Sequence, residues 1–122
     1  MSYSKDDLID FDIVQGLREL GGDDDDGFIK EIFELYKEQY PILLAQIKNH
    51  LSNEDYTNLS KSAHALKGAS LNIGAKELAS VCKTIEINAK SDIQHGFNEL
   101  ISKLETIHSL TFIELDKLLN MV

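Results

Sequence analysis

The spacing of apolar side chains is the feature that most constrains the fold of this chain. Apolar residues recur at intervals of three and four through most of the 122 positions, without the alternation that a half-buried strand requires. The seven glycines and one proline lie mostly where helices would end. The sequence therefore predicts an all-α fold, and we expect one domain over residues 1–122.

Cap and breaker residues divide this pattern into five predicted helices, at about 12–20, 28–51, 53–73, 75–89 and from 91 onward. Short connections between long amphipathic helices favour antiparallel neighbours. We therefore expect an up-down-up-down four-helix bundle, with the short N-terminal helix covering one end. That first helix begins at Asp12 as N-cap, carries Ile13, Leu17 and Leu20 on one face, and ends at Gly21.

Local signals refine the longer helices. Pro41 lies inside the second helix and predicts a kink or a break, because proline removes one backbone hydrogen bond. Ser91 and Gln94 have the spacing of a capping box for the last helix. The acidic run 23–26 is interpreted as a solvated helix entry. The expected core residues of the second helix are Ile32, Leu35, Tyr36, Leu43, Leu44 and Ile47.

Charge and composition exclude several classes of function. The chain has 21 acidic and 12 basic side chains, a net charge of −9, which disfavours nucleic acid and anionic membrane surfaces as partners. No apolar run approaches the roughly 20 residues of a membrane span, and the polar N-terminus is unlike a signal peptide. One cysteine, Cys82, excludes an internal disulfide. We expect a cytoplasmic protein, with nuclear shuttling an option in a eukaryote; Met1 favours a free-standing chain over a fragment of a hybrid kinase.

One histidine lies on the wrong face of the third helix for a core residue. On a helical wheel, the predicted core face consists of Leu59, Ser62, Ala63, Leu66, Ala69, Ser70 and Ile73. His64 lies about 160° from the middle of that face. Its helical neighbours are Ser60, the cationic Lys67, the outward apolar Leu71 and Gly68, which costs a helix about 1 kcal/mol. This pattern predicts an accessible nucleophile with open space beside it.

The chemistry that suits such a histidine is phosphate transfer. Free imidazole has a pKa of about 6.5, so it offers an unprotonated nitrogen at cellular pH. The chain has no P-loop, no kinase signature and no carboxylate cluster suited to Mg²⁺. We therefore expect no metal or cofactor of its own, with Mg²⁺ and the second reacting group supplied by a partner. Lys67 can offset negative charge on the phosphate.

Residues 63–75 (AHALKGASLNIGA), followed by Leu78, Cys82 and the pair Ile85–Glu86, resemble the histidine-containing phosphotransfer (HPt) family. The resemblance covers about residues 60–90. It implies a four-helix-bundle phosphocarrier without kinase activity of its own, in a His-Asp-His-Asp phosphorelay. By motif match, the phospho-acceptor is His64, the phosphate-neutralising residue is Lys67, the small residue admitting the partner is Gly68, the helix-ending glycine is Gly74 and the imidazole-orienting residue is Glu86.

The partners that the resemblance implies are response-regulator receiver domains and a hybrid sensor histidine kinase. We expect docking on the exposed face of the motif helix and on the first two helices, through Ser60, Lys61, Leu71, Ile13 and Leu17. Core packing competes for at least one of the last two. Leu71 stands where many bacterial members have glycine, which bears on partner choice. A monomer is expected, because a carrier presents one face to successive partners.

Two other functions fit parts of the sequence. Glu105 and His108 have the i, i+3 spacing of di-iron bundles, but such sites need two pairs and further glutamates. A helical interaction module without phosphate chemistry would explain the bundle but not the exposed histidine. Cys82 is interpreted as a small buried hydrophobe rather than a redox thiol. His50, His95 and His108 are interpreted as solvated or helix-end histidines.

Overall fold

The computed structural model describes residues 3–22, 26–91 and 94–120, and within these ranges the chain forms six helices and no strand. This confirms the predicted all-α class. The helices are α1 (Lys5–Leu8), α2 (Phe11–Leu20), α3 (Gly27–Ser52), α4 (Tyr56–Asn72), α5 (Lys76–Lys90) and α6 (Phe97–Leu118). No helix in these ranges is long and apolar enough to span a membrane.

The four long helices, α3 to α6, form the predicted antiparallel bundle. Lys37 near the start of α3 binds Asp116 near the end of α6, at 2.7 Å. Lys48 near the end of α3 contacts Glu105 earlier in α6, at 3.5 Å. These two helices therefore run in opposite directions. A tight turn at Gly74 reverses the chain between α4 and α5.

The short helices α1 and α2 cover one end of this bundle. The backbone N–H of Asp10 donates to the carbonyl of Gly74 at 2.7 Å, which attaches the start of α2 to the α4–α5 turn. Arg18 of α2 donates to Asp26 and to the carbonyl of Leu118, at 3.1 and 3.2 Å. The N-terminal segment is thereby attached to the α4–α5 turn, to the start of α3 and to the end of α6. This arrangement confirms the expected position of the short N-terminal helix.

The starts of the first helices differ from the prediction. Ser4 and Asp7 form a reciprocal capping box for α1, a helix that the apolar pattern did not predict because it has only four residues. Helix α2 begins after Asp10, whose side chain accepts from two backbone N–H groups; Asp12 is not the N-cap. The residues at 23–25 lie outside the described part of the chain.

The buried faces of α2 and α3 also need correction. Leu35 is 53% exposed, and Leu20 is more exposed still, while Val14 is the buried residue of α2. In α3, the buried residues form a single stripe with helical spacing. Ile32, Leu43 and Leu44 are half-buried beside this stripe. The residues of the stripe are Ile29, Phe33, Tyr36, Tyr40 and Ile47.

Pro41 does not divide the second long helix. Helix α3 is continuous over 26 residues with Pro41 inside it, so of the two expected effects, a kink or a break, the break is wrong. Proline costs the helix one backbone hydrogen bond and a local clash. Packing on both sides of the proline, through Tyr36, Tyr40 and Ile47, maintains the helix across that defect.

The predicted capping box at the start of the last helix is wrong. Helix α6 begins at Phe97, after Gly96 with φ +78°. The Ser91 hydroxyl instead donates to the carbonyl of Asn88, at 2.9 Å, and the Gln94 amide donates to the carbonyl of Ala89, at 3.3 Å. Both side chains satisfy carbonyl groups at the end of α5, which are left without helical partners.

Candidate functional site

Helix α4 presents His64 to solvent, as the helical wheel predicted. The imidazole side chain is 65% exposed. Ala63 and Leu66, on the opposite side of the same helix, are fully buried against the bundle. A Cβ added at Gly68 would meet no atom within 4 Å, so the space one turn beyond His64 is open. The core therefore fixes the helix while leaving the ring accessible.

A carboxylate from α5 contacts the back of this ring. Oε2 of Glu86 lies 2.9 Å from Nδ1 of His64, and Oε1 accepts a hydrogen bond from Nζ of Lys67 at 2.8 Å. Lys90, one turn further along α5, donates to Oε2 at 3.3 Å. Glu86 is itself buried. The motif match thus identified the residue that contacts Nδ1, whereas Lys90 was not identified from the sequence.

The charges around Glu86 determine which ring nitrogen is free. The hydrogen bond from Lys67 lowers the pKa of Glu86 to about 2, with further contributions from His64 and Lys90, although burial acts in the opposite direction. Glu86 is therefore ionised at neutral pH and can only accept hydrogen bonds. Nδ1 of His64 therefore donates to Glu86, and Nε2 is the ring nitrogen on the edge away from this carboxylate.

The residues predicted for docking do not all reach the surface. Leu71, Ile13 and Lys61 are exposed, and Leu17 is half-buried. Ser60 is only 4% exposed, which contradicts its predicted place on the docking surface. It forms part of the floor of a cleft between α4 and α5, because α5 covers that side of α4. The wheel placed Ser60 outward since it counted only one buried face.

Two clefts flank α4. The first, of about 730 Å³, lies between α4 and α5, and His64 and Glu86 border it together with the cations Lys61 and Lys90. The second, of about 750 Å³, lies between α2, α3 and α4 and is mostly apolar. Its walls include Leu17, Leu35, Ile42, Ala65 and Ala69. The sequence analysis assigned Leu35 to the core and did not single out Ile42. Their spacing of seven nevertheless places both residues on one face of α3.

His108 is neither solvated nor at a helix end, which contradicts the sequence interpretation. Its ring stacks on Tyr40, with centroids 3.5 Å apart, beside Tyr36 and Phe112. Its Nε2 is buried without a hydrogen-bond partner. Burial, aided by the positive charge of Lys37, lowers the pKa of His108 to about 4. The ring is thus a neutral member of an aromatic cluster.

The rival metal and thiol sites have little structural support. In the described ranges no three or more His, Cys, Asp or Glu side chains are grouped so that they could hold a metal ion. Glu105 contacts Lys48 instead of a histidine. Cys82 is fully buried, and this burial raises the pKa of its thiol to about 12. Such a thiol is a packing group rather than a nucleophile.

Comparison with known proteins gives consistent results. The sequence model of the Hpt domain family matches residues 31–118. The chain is 34% identical over 79 residues to Multistep phosphorelay regulator 1 of Schizosaccharomyces pombe, covering 65% of this chain and only 27% of that protein. It is 28% identical over 121 residues to the phosphorelay intermediate protein YPD1 of Saccharomyces cerevisiae, covering 96% of this chain and 71% of YPD1.

Solved structures share the fold. The crystal structure of histidine-containing phosphotransfer protein B (HptB) from Pseudomonas aeruginosa PAO1 superimposes with a TM-score of 0.82 at 23% identity, covering 94% of this chain and 96% of that one. The crystal structure of YPD1p in its triclinic form gives a TM-score of 0.63 at 28% identity, covering 68% and 51%. The first likeness concerns the fold alone.

Proposed function

Because this chain belongs to the Hpt domain family, we propose that it carries phosphate in a multistep phosphorelay. His64 accepts a phosphoryl group from the aspartate of one receiver domain and passes it to the aspartate of another. The observation that carries this proposal is the ring geometry of His64. Glu86 engages Nδ1 at 2.9 Å, and the opposite edge of the ring faces solvent.

The proposed transfer involves one bond made and one broken. The Nε2 lone pair attacks the phosphorus of the aspartyl phosphate, and the P–O bond breaks with its electrons leaving on the aspartate carboxylate. Nδ1 keeps its proton throughout, because the ionised Glu86 accepts it in a hydrogen bond. The second transfer reverses these steps toward a different aspartate. No proton has to be removed from His64 for the attack to occur.

The neighbours of His64 support this reaction in different ways. Glu86 orients the ring, and the ion pair at 2.8 Å keeps Lys67 close enough to offset phosphate charge. Gly68 provides open space for the approaching receiver. Mg²⁺ bound by the receiver would neutralise further charge on the phosphoryl group. The chain is proposed to act as a carrier without kinase activity of its own.

The docking surface is proposed to include the apolar cleft between α2, α3 and α4. Leu17, Leu35 and Ile42 line this cleft together with Ala65, the residue that follows His64. An exposed apolar cleft beside a reactive side chain is typical of a protein interaction site. The proposed occupants are receiver domains, among them that of a hybrid sensor histidine kinase. The cleft adds Leu35 and Ile42 to the predicted docking residues Ile13, Leu17, Lys61 and Leu71.

The experiment that tests this function is phosphotransfer to the variant His64→Gln. A receiver domain charged with acetyl phosphate and Mg²⁺ is mixed with the protein, and acid-labile phosphate on the protein is measured. We expect transfer to the wild-type chain and at least a hundredfold loss in His64→Gln, because glutamine has no nucleophilic ring nitrogen. Circular dichroism should show an unchanged fold, since the side chain of His64 is 65% exposed.

The matched control is His95→Gln, which changes an exposed histidine outside the cluster around Glu86. Its transfer should equal that of the wild-type protein. Phosphate on His64→Gln would show that another residue is the acceptor. A wild-type protein that takes no phosphate from any receiver of its source organism would instead support the alternative of a plain helical interaction module.

A further inference from the structure

Helix α2 has few buried side chains. Of its ten residues, all within the described part of the chain, Val14 is the one that is buried. Phe11, Ile13 and Leu20 are exposed apolar side chains on the same helix. Packing of an apolar face is what usually fixes a short helix on its neighbours. The position of α2 therefore depends on the polar contacts at its two ends.

Arg18 holds the C-terminal end of α2. Its Nε and Nη2 donate to the two carboxylate oxygens of Asp26, at 3.2 and 3.1 Å, which is the paired geometry of a strong arginine–carboxylate contact. Nη2 also donates to the carbonyl of Leu118 at the end of α6, at 3.2 Å. Helices α2, α3 and α6 thus meet at one guanidinium group. Arg18 is the single arginine of the sequence, and a lysine could not make the paired contact.

Asp26 makes this contact instead of capping its own helix. It occupies the N-cap position of α3, where an aspartate normally accepts from a backbone N–H of the first turn. Here its side chain makes no capping hydrogen bond, and its φ of +67° lies in the left-handed region that favours glycine. Both features are unfavourable for α3 taken alone. The conformation of Asp26 therefore serves the pairing of α2 with α3 rather than the start of α3.

The residue before Arg18 lines the apolar cleft. Leu17 is the part of its wall that α2 contributes, beside Leu35 and Ile42 of α3 and Ala65 of α4. Consecutive side chains of a helix point about 100° apart. A guanidinium group fixed against α3 and α6 therefore also fixes the direction of Leu17. Arg18 does not itself line the cleft, so it can affect the cleft only through the position of α2.

From these contacts we propose that Arg18 is a positioning residue for receiver docking. It holds α2 against the start of α3 and the end of α6, so that Leu17 is in place before a receiver arrives. A docking surface that is already formed loses less conformational freedom on binding. Within the described ranges the hydrogen bonds of Arg18 go to Asp26 and Leu118, not to the cluster around His64. This inference rests on the proposed function and extends it to a residue outside the reacting site.

The first test separates docking from chemistry. The rate of transfer from a charged receiver is measured by rapid quench at increasing receiver concentration, for the wild-type, Arg18→Gln and Asp26→Asn proteins. Both variants should raise the half-saturating receiver concentration about three- to tenfold and leave the maximal rate unchanged. Phosphorylation of His64 by phosphoramidate, a donor too small to need the cleft, should be equal in all three proteins. Lys103→Gln, which removes an exposed charge outside both clefts, is the control and should match the wild-type protein.

The second test observes α2 directly. Amide hydrogen exchange is measured by NMR in the wild-type protein and in the same two variants. Loss of the pairing should raise exchange in α2 about tenfold, while the amides of α4 and α5 keep their wild-type rates. The double variant Arg18→Gln/Asp26→Asn should resemble either single variant, because the two side chains act as one unit. Urea unfolding shows whether each variant is folded, and Asp26→Asn decides alone if Arg18→Gln is not.

The outcomes distinguish this proposal from the function itself. If α2 exchanges faster in Arg18→Gln but the half-saturating receiver concentration is unchanged, the positioning role is wrong and the carrier function stands. The same conclusion follows if the variant also slows phosphorylation by phosphoramidate, or if α2 keeps its wild-type exchange rates. If the wild-type chain takes phosphate from no receiver, the proposed function fails, and the docking role of Arg18 fails with it.

Discussion

At the scale of single residues, a buried carboxylate makes the two edges of one ring chemically different. Glu86 accepts a hydrogen bond from Nδ1 of His64, which leaves Nε2 as the proposed nucleophile. The hydrogen bond from Lys67 lowers the pKa of Glu86 and so favours its ionised form. In the proposed function, a carboxylate that is itself buried thus orients the exposed ring for reaction.

The open space at Gly68 leads to a prediction about transfer rate. Gly68→Gln should raise or barely alter the unfolding free energy, because glutamine is a better helix former than glycine by up to about 1 kcal/mol. Phosphotransfer from a charged receiver should slow at least tenfold, since a long side chain would occupy the approach to His64. Rates are measured by rapid quench and stability by urea unfolding.

Gly68→Ala is the graded control for this prediction. It adds only a Cβ, which has no neighbour within 4 Å, so the transfer rate should remain close to that of the wild-type protein. Equal rates for glycine, alanine and glutamine would remove the steric explanation for this residue.

Individual residues also mark where sequence reasoning succeeds. The wheel predicted the exposure of His64 because its helix has one well-defined apolar face. It could not predict that His108 stacks on Tyr40, because that contact joins α6 to α3 across the bundle. The contact of Lys90 with Glu86 could have been predicted from their spacing of one helical turn. That spacing points to the site only once Glu86 is known to contact His64.

At the scale of helices, the turn between α4 and α5 performs two tasks at once. Gly74 has φ +79°, which reverses the chain after the helix that carries His64. A Cβ at this position would lie 2.8 Å from the carbonyl oxygen of Asp10, at the start of α2. The turn therefore also sets the position of α2, and with it Leu17 in the apolar cleft.

Substitution of this glycine should be costly. Gly74→Ala should lower the unfolding free energy by about 2–3 kcal/mol, because alanine disfavours positive φ and its Cβ would collide with the backbone. Urea unfolding gives this value, and Gly68→Ala in the open part of α4 is the matched control, expected to be neutral or stabilising. Equal stability of the two alanine variants would exclude this account of the turn.

Helices α2 to α5 were predictable to within about three residues at each end, because long apolar periodicities and cap residues determine them locally. The short α1 was not predicted, and α6 begins at Phe97 instead of near Ser91. Their faces were less predictable in α3. This helix has apolar residues on two sides, one for the core and one, including Leu35 and Ile42, for the cleft. Burial and partner binding select the same residue types, so the sequence alone does not separate them.

At the scale of the whole molecule, the bundle contains a histidine that stays neutral inside its aromatic cluster. Its folded pKa of about 4 lies below the value of about 6.5 expected in the unfolded chain. Between these values the unfolded chain binds a proton that the folded protein does not. The contribution of His108 to stability is therefore complete above pH 6.5 and is lost as the pH falls toward 4.

This sign gives a test at two pH values. The wild-type protein should lose about 1–2 kcal/mol of unfolding free energy between pH 7.5 and pH 4.5 from this group, after allowance for solvent screening of a half-buried ring. His108→Phe, which keeps the stacking but cannot bind a proton, should lose that much less. His95→Gln is the control for an exposed histidine, and identical pH dependence in wild type and His108→Phe would contradict the buried-neutral assignment.

The protrusion of one ring between two clefts has a kinetic consequence. In the proposed relay, donor and acceptor receivers use the same edge of His64, so both cannot bind it at once and we expect ping-pong kinetics. An unphosphorylated acceptor receiver then competes with the donor receiver for His64. A high concentration of the acceptor is therefore expected to slow the phosphorylation of His64. We therefore expect the dissociation of each partner from α4 to contribute to the overall rate of the proposed relay.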